Sequence, residues 1–157
     1  MNAEHQRTVA RRIVKEILEE QRPEVIPELF APGFHSHDWG PQYAPGIAGI
    51  RQLNEFSRQA FVNVRTEMLL DPIVDGDMTV SFFSYHAEHA GDLWGQPSKG
   101  RSFTERIVHI LRFEDGKVAE HWRVQNDLGM LKQLGVWPEG FMFRNLAVER
   151  DDAAGTR

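Results

Sequence analysis

Cysteine is absent from the 157 residues, which excludes a disulfide framework, thiolate nucleophiles and thiolate metal sites. No uninterrupted apolar run comes near the ~20 residues that a membrane-crossing helix needs. The polar opening Met1-Asn2-Ala3-Glu4-His5 also lacks the apolar stretch of a secretory signal. The expectation is a soluble, cytoplasmic protein with no membrane partner. Positive charge is scarce, with 18 Lys and Arg against 23 Asp and Glu and a formal net charge of -5. Nucleic-acid binders carry clustered cations. The nearest candidate here, Arg7, Arg11, Arg12 and Lys15, has helical spacing and interleaved acids, as a solvated helix face does. Nucleic acid is therefore not expected as a partner. Nucleotide and hydrolase motifs are missing too. Gly46-Ile47-Ala48-Gly49 lacks a preceding strand and a third glycine, and neither Gly-x-Ser-x-Gly nor His-Glu-x-x-His occurs.

What is present suits one ordinary domain, with 41% hydrophobic and 10% aromatic residues to fill a core. Val9, Ala10, Ile13, Val14, Ile17 and Leu18 form the apolar stripe of a first helix, which Pro23 ends. A shorter helical piece spans Val25 to Phe30, and Phe34 to Gly49 reads as an ordered loop. A second amphipathic helix turns Ile50, Leu53, Phe56, Ala60, Phe61 and Val64 inward. Strands then dominate: Met68 to Leu70, Thr79 to Ala90, Ser102 to Phe113 and Val118 to Gln125. Asp-Gly turns sit at Asp75-Gly76 and Asp115-Gly116. Leu128, Leu131 and Leu134 mark a closing helix that breaks at Gly135. Helices first and an antiparallel meander after them predict an α+β layer. Residues 1–146 form the expected single domain. Within it Gly135 to Leu146 is expected to pack as an apolar strap, and 147–157 is expected to fray.

Four blocks carry a family resemblance over about residues 6 to 136. They are Leu29-Phe30-Ala31-Pro32-Gly33-Phe34-His35-Ser36-His37, the run His89 to Pro97, the run Arg112 to Trp122, and Leu128 to Gly135. In order and spacing they resemble the SnoaL-like polyketide cyclases of the nuclear transport factor 2-like superfamily. The resemblance implies a cone-shaped, curved antiparallel sheet capped by N-terminal helices, with a small-molecule substrate between them. It also implies intramolecular aldol ring closure with neither metal nor organic cofactor. A proton flanked by two carbonyls needs only one positioned base and a donor for the enolate oxygen. In the family the acid/base is an aspartate four residues after the strand tryptophan. Counting from Trp122 reaches Asn126, with Asp127 next. Asparagine cannot take a proton but can hold a carbonyl oxygen. So another residue is the base, or a bulge turns Asp127 inward, or the reaction is a different one.

The candidate catalytic set is thus His37 and His89, both at family positions, with Asn126 and Asp127. Candidate ligand contacts are Trp39, Phe56, Phe61, Tyr85, Trp94, His109, Trp122 and Met130. His89 shares strand parity with Phe83, Tyr85 and Ala87, and Trp122 with Val124 and Asn126. No metal is expected: His86 and His89 are three apart and point oppositely on a strand. A non-catalytic binder and an epoxide hydrolase or isomerase are the alternatives. The hydrolase needs an Asp-Arg-Asp set around Arg106, Arg112 or Arg123 that the sequence does not assemble. Phe82, Ser84, His86, Val108 and Ile110 share the opposite parity and form an apolar outer face. A homodimer is expected to cover it.

Overall fold

The structure, a computed structural model, describes residues 2–136; the strap from Trp137 onward and the tail lie outside the described residues. Helix α1 (Ala3–Arg12) starts at Asn2, whose side chain accepts from the Glu4 amide at 2.9 Å. It runs without a break into a π-helical segment, Ile13–Glu19. The wider turn keeps Ile13, Val14 and Ile17 buried on the stripe begun by Val9 and Ala10. A 3-10 turn at Pro23–Val25 and the short helix α2 (Ile26–Leu29) follow.

Two elements differ from the sequence expectation. The stretch Phe30–Ser36 is a strand, β1, rather than the end of a helix and the start of a loop. It is an edge strand, paired parallel with β6, and its register shifts between Phe30 and His35, so Pro32 and Gly33 fall where no regular ladder is required. Helix α3 (Ile47–Ala60) stops four residues before Val64, and Phe61–Met68 is strand β2. Its Phe61 and Val64 match an inward helix stripe as well as they match a strand.

The meander continues as β3 (Ile73–Asp75), β4 (Met78–His89), β5 (Ser102–Glu114) and β6 (Lys117–Gln125), and α4 (Asp127–Leu134) closes it. Gly135 ends α4 in the left-handed conformation at φ 67°. The sheet is open, in the order β1-β6-β5-β4-β2, with β3 on the same edge of β4 as β2. Along β4 the residues Thr79, Ser81, Phe83, Tyr85, Ala87 and His89 are buried and their neighbours half-buried, so one face of the sheet lies under the helices. Two apolar clusters fill that side. One holds Val9, Ile13, Ile26, Phe34, Leu111 and Phe113, the other Phe61, Phe83, Tyr85, Phe103, Met130 and Leu134. Burying an aromatic such as Phe83 stabilises by about 1.5–3 kcal/mol. No described helix is long and apolar enough to cross a membrane.

Candidate active site

Where the two clusters meet, the layers leave a cavity of about 1100 Å³, open mouth included. Ile17, Leu53, Phe56 and Trp39 form its helix-side wall. The Trp39 ring reaches that wall because position 49 is glycine: a Cβ there would lie 2.6 Å from the ring. Near the mouth Trp94, 58% exposed, stacks on Phe56 with ring centroids 6.1 Å apart.

The sheet side supplies the polar groups: Tyr85 from β4, Glu105 and His109 from β5, and His121, Arg123 and Gln125 from β6. Pairing register sets Tyr85 opposite Glu105 and His109 opposite Arg123. The His109 and His121 rings meet edge to face at 4.6 Å, and His121 Nδ1 lies 3.2 Å from Ser36 Oγ. Burial and the nearby Arg123 charge hold His121 down to about 4 and His109 well below the ordinary histidine range, so both are neutral at pH 7. Tyr85 keeps its phenol proton: burial raises it and outweighs the opposing contact with Ser57 Oγ, 3.4 Å from its hydroxyl. Arg123 uses its backbone amide on Asp38, while its guanidinium forms no ion pair among the described residues. Glu105 is 8% exposed, and its Oε2 is buried without a hydrogen-bond partner among the described residues. Burial, with the Asp127 charge added and Arg123 opposing, pushes its carboxyl up to about 7.

Of the residues singled out by sequence, Trp39, Phe56, Phe61, Tyr85, Trp94, His109 and Met130 lie in the cavity wall. Trp122 does not. It points to the outer face, where the His37 ring stacks on it at 4.2 Å and 4°. Its parity is reversed by a bulge: Arg112 pairs with Glu120 but Phe113 with Val118, leaving Ala119 as an extra residue. Val118 and Ala119 are both buried, and beyond them His121, Arg123 and Gln125 turn inward. His37 follows Trp122 to the outside, where its Nε2 is 2.7 Å from Glu120 Oε2 and its ring touches that of His35. His89 is inward-facing and fully buried near Phe61, outside the cavity wall, with neither ring nitrogen hydrogen-bonded. Asn126 caps α4, its Oδ1 accepting from the Gly129 amide at 2.9 Å. The exposed Asp127 accepts from Gln125. The structure therefore does not bring the four catalytic candidates together. Sequence reasoning missed Glu105, His121, Arg123 and Gln125 as wall residues. The signal for Glu105 was available: it alternates with Phe103, Ile107 and His109 on the apolar face of β5. Among the described residues no group of three or more His, Asp or Glu gathers as metal ligands do.

The SnoaL-like polyketide cyclase family profile matches residues 8–134, and the chain belongs to that family. The aklanonic acid methyl ester cyclase DnrD of Streptomyces peucetius is 39% identical over 54 residues, 34% of this chain and 37% of that one. The nogalonic acid methyl ester cyclase of Streptomyces nogalater is 34% identical over 65 residues, 41% of this chain and 48% of that one. The chain thus spans between a third and a half of the length of these relatives. Among solved structures, TsrD from Streptomyces laurentii superposes with a TM-score of 0.80 at 23% identity, covering 87% of this chain and 99% of that one. A SnoaL-like polyketide cyclase of Agrobacterium tumefaciens gives 0.66 at 16%, covering 86% and 100%. The fold is the nuclear transport factor 2-like α+β arrangement, with β1 added in parallel to an otherwise antiparallel, unclosed sheet.

Proposed function

We propose that the protein closes a ring in a carbonyl compound by acid/base, aldol-type chemistry, with no metal or organic cofactor. The observation that carries this reading is the cavity itself: apolar and aromatic walls facing a sheet floor on which a carboxyl, two neutral imidazoles, a phenol and a guanidinium gather. Apolar walls suit a flat, largely hydrophobic substrate, and the floor offers proton transfer and oxyanion stabilisation on one side of it. The cyclase names of the relatives agree with that chemistry. Aklanonic and nogalonic acid methyl esters are therefore the first compounds to offer the purified protein. Aldol closure gives a product of unchanged mass and altered retention and visible absorbance. Time-dependent formation of that isomer supports the reading; binding without turnover of these esters and of smaller diketones overturns it.

A non-catalytic binder is the second reading, favoured by Asn126 standing where the family has aspartate. It predicts quenching of Trp39 or Trp94 fluorescence on ligand addition with no chemical change. In either case we place the working unit as a homodimer. Phe82, Val108, Ile110 and Trp122 are half-buried and Val124 is 64% exposed on the uncovered sheet face, and a contiguous apolar surface of this kind suits a second copy of the chain.

A further inference from the structure

At position 126, where the family resemblance implies an aspartate, stands Asn126, which cannot take a proton and whose Oδ1 accepts from the Gly129 amide. A ring-closing site at this place needs a proton acceptor from elsewhere. Among the described residues of the cavity wall only Glu105 carries a carboxyl. The strand register holds it in place: it is an inward-facing position near the start of β5, between Phe103 and Ile107, and opposite Tyr85 of β4. It forms no ion pair and no hydrogen bond among the described residues, although its Oε2 is buried. A buried carboxyl oxygen without a partner costs about 1–3 kcal/mol. Such an arrangement is common at sites where a proton is exchanged with a ligand and unusual where the role is structural.

We propose that Glu105 is the acid/base of the ring closure, acting from β5 in place of the aspartate that the family carries at position 126. This rests on the cyclase reading above. In the step, the Glu105 carboxylate takes a proton from a carbon flanked by two carbonyls. The C–H bond breaks and its electron pair moves onto one carbonyl oxygen. The enolate carbon then attacks a second carbonyl carbon of the same molecule and forms the C–C bond. The resulting alkoxide takes the proton back from Glu105, so atoms and charge balance with no other reactant. Tyr85, protonated and directly across from Glu105, meets the enolate oxygen as a donor, and the Arg123 charge favours the anion. The titratable and charged groups facing Glu105 are Tyr85 from β4, Arg123 from β6 and Asp127 from α4, with His109 further along its own strand. Burial and Asp127 outweigh Arg123 and move the carboxyl toward neutrality, where a base of this kind is most effective.

The test compares wild type, Glu105→Gln and Glu105→Asp in deuterated water with aklanonic acid methyl ester. Exchange of the acidic C–H is followed by NMR, ring closure by chromatography and binding by tryptophan fluorescence. For Glu105→Gln we expect both exchange and closure to fall by about 100-fold or more, with affinity changed by less than about threefold. Glu105→Asp should recover about tenfold or more of the loss, and thermal melts of the three proteins check that each is folded. If wild type closes the ring and Glu105→Gln does so at a similar rate, Glu105 is not the base, while the cyclase reading stands. If wild type exchanges the proton in a Glu105-dependent way but forms no ring, the base assignment stands and the cyclase reading fails. Absence of exchange in wild type between about pH 5 and pH 9 overturns the proposal.

Discussion

Replacing Glu105 by glutamine removes a charge that the folded chain tolerates poorly, and should stabilise the protein above neutral pH. The folded carboxyl sits at about 7 against an ordinary 4.5. Below 4.5 it is protonated whether the chain is folded or not. Between 4.5 and about 7 the unfolded chain releases the proton while the folded one keeps it, so stability falls as pH rises, and above about 7 the full cost is present. At about 1.4 kcal/mol per tenfold change in acidity, the ceiling on that cost is about 3 kcal/mol. Solvent entering the open mouth screens part of the charge, which reduces the figure to about 1–2 kcal/mol. For a chain of this length each kcal/mol moves the melting temperature by about 2–4 °C. Melts of wild type and Glu105→Gln followed by circular dichroism at about pH 5 and about pH 8.5 give the readout. The advantage of the variant should widen by about 2–8 °C between the two. The amide's own packing is the same at both pH values and cancels in the comparison. An advantage that stays constant or shrinks with rising pH refutes the account of Glu105 as a carboxyl held near neutrality by burial.

His121 gives the opposite slope. Its folded value of about 4 lies below the ordinary 6.5, so the stability it contributes is full above 6.5 and is lost as pH falls toward 4. Urea midpoints at about pH 7.5 and pH 5 should show His121→Gln gaining on wild type by about 2 kcal/mol at most at the acid end. Asn126→Ala should cost about 1 kcal/mol in the same assay through loss of the α4 cap, while Asn126→Asp, an equally good cap, should be close to neutral. Phe82→Glu paired with Ile110→Glu places carboxylates in the uncovered sheet face. Sedimentation should then give the 18.1 kDa chain mass where wild type gives twice that, and a monomeric wild type contradicts the dimer reading.

The long antiparallel strands were legible in the sequence because their alternation is strong and Asp-Gly turns separate them. Strand β1 was not, since Pro32 and Gly33 are strand breakers in a ladder and only the register shift against β6 makes room for them. The boundary between α3 and β2 was hidden by Phe61 and Val64, whose spacing fits both periods. For the site, the aromatic wall was legible as residues with too much apolar surface to leave in water. The polar floor on β6 was not: strict alternation from Val118 sends Trp122 inward, and the extra residue Ala119 reverses this. One unpaired residue thus decides which half of the strand faces the cavity. Hydrophobicity gives no warning of it, because Val118 and Ala119 are both apolar and both buried.

That bulge leaves β6 written in two interleaved alphabets. The odd positions His121, Arg123 and Gln125 face the cavity, and the even positions Glu120, Trp122 and Val124 face outward. A lineage can rewrite one set while the other stays fixed, so the cavity wall and the outer sheet face can change by separate point mutations within nine consecutive residues. Insertion or deletion of a single residue after Ala119 does the reverse. It exchanges the two sets at once, sending the guanidinium and imidazole outward and a tryptophan into the cavity. Within this strand, substitution is the route by which the protein diversifies, and a change of length is the change it cannot absorb.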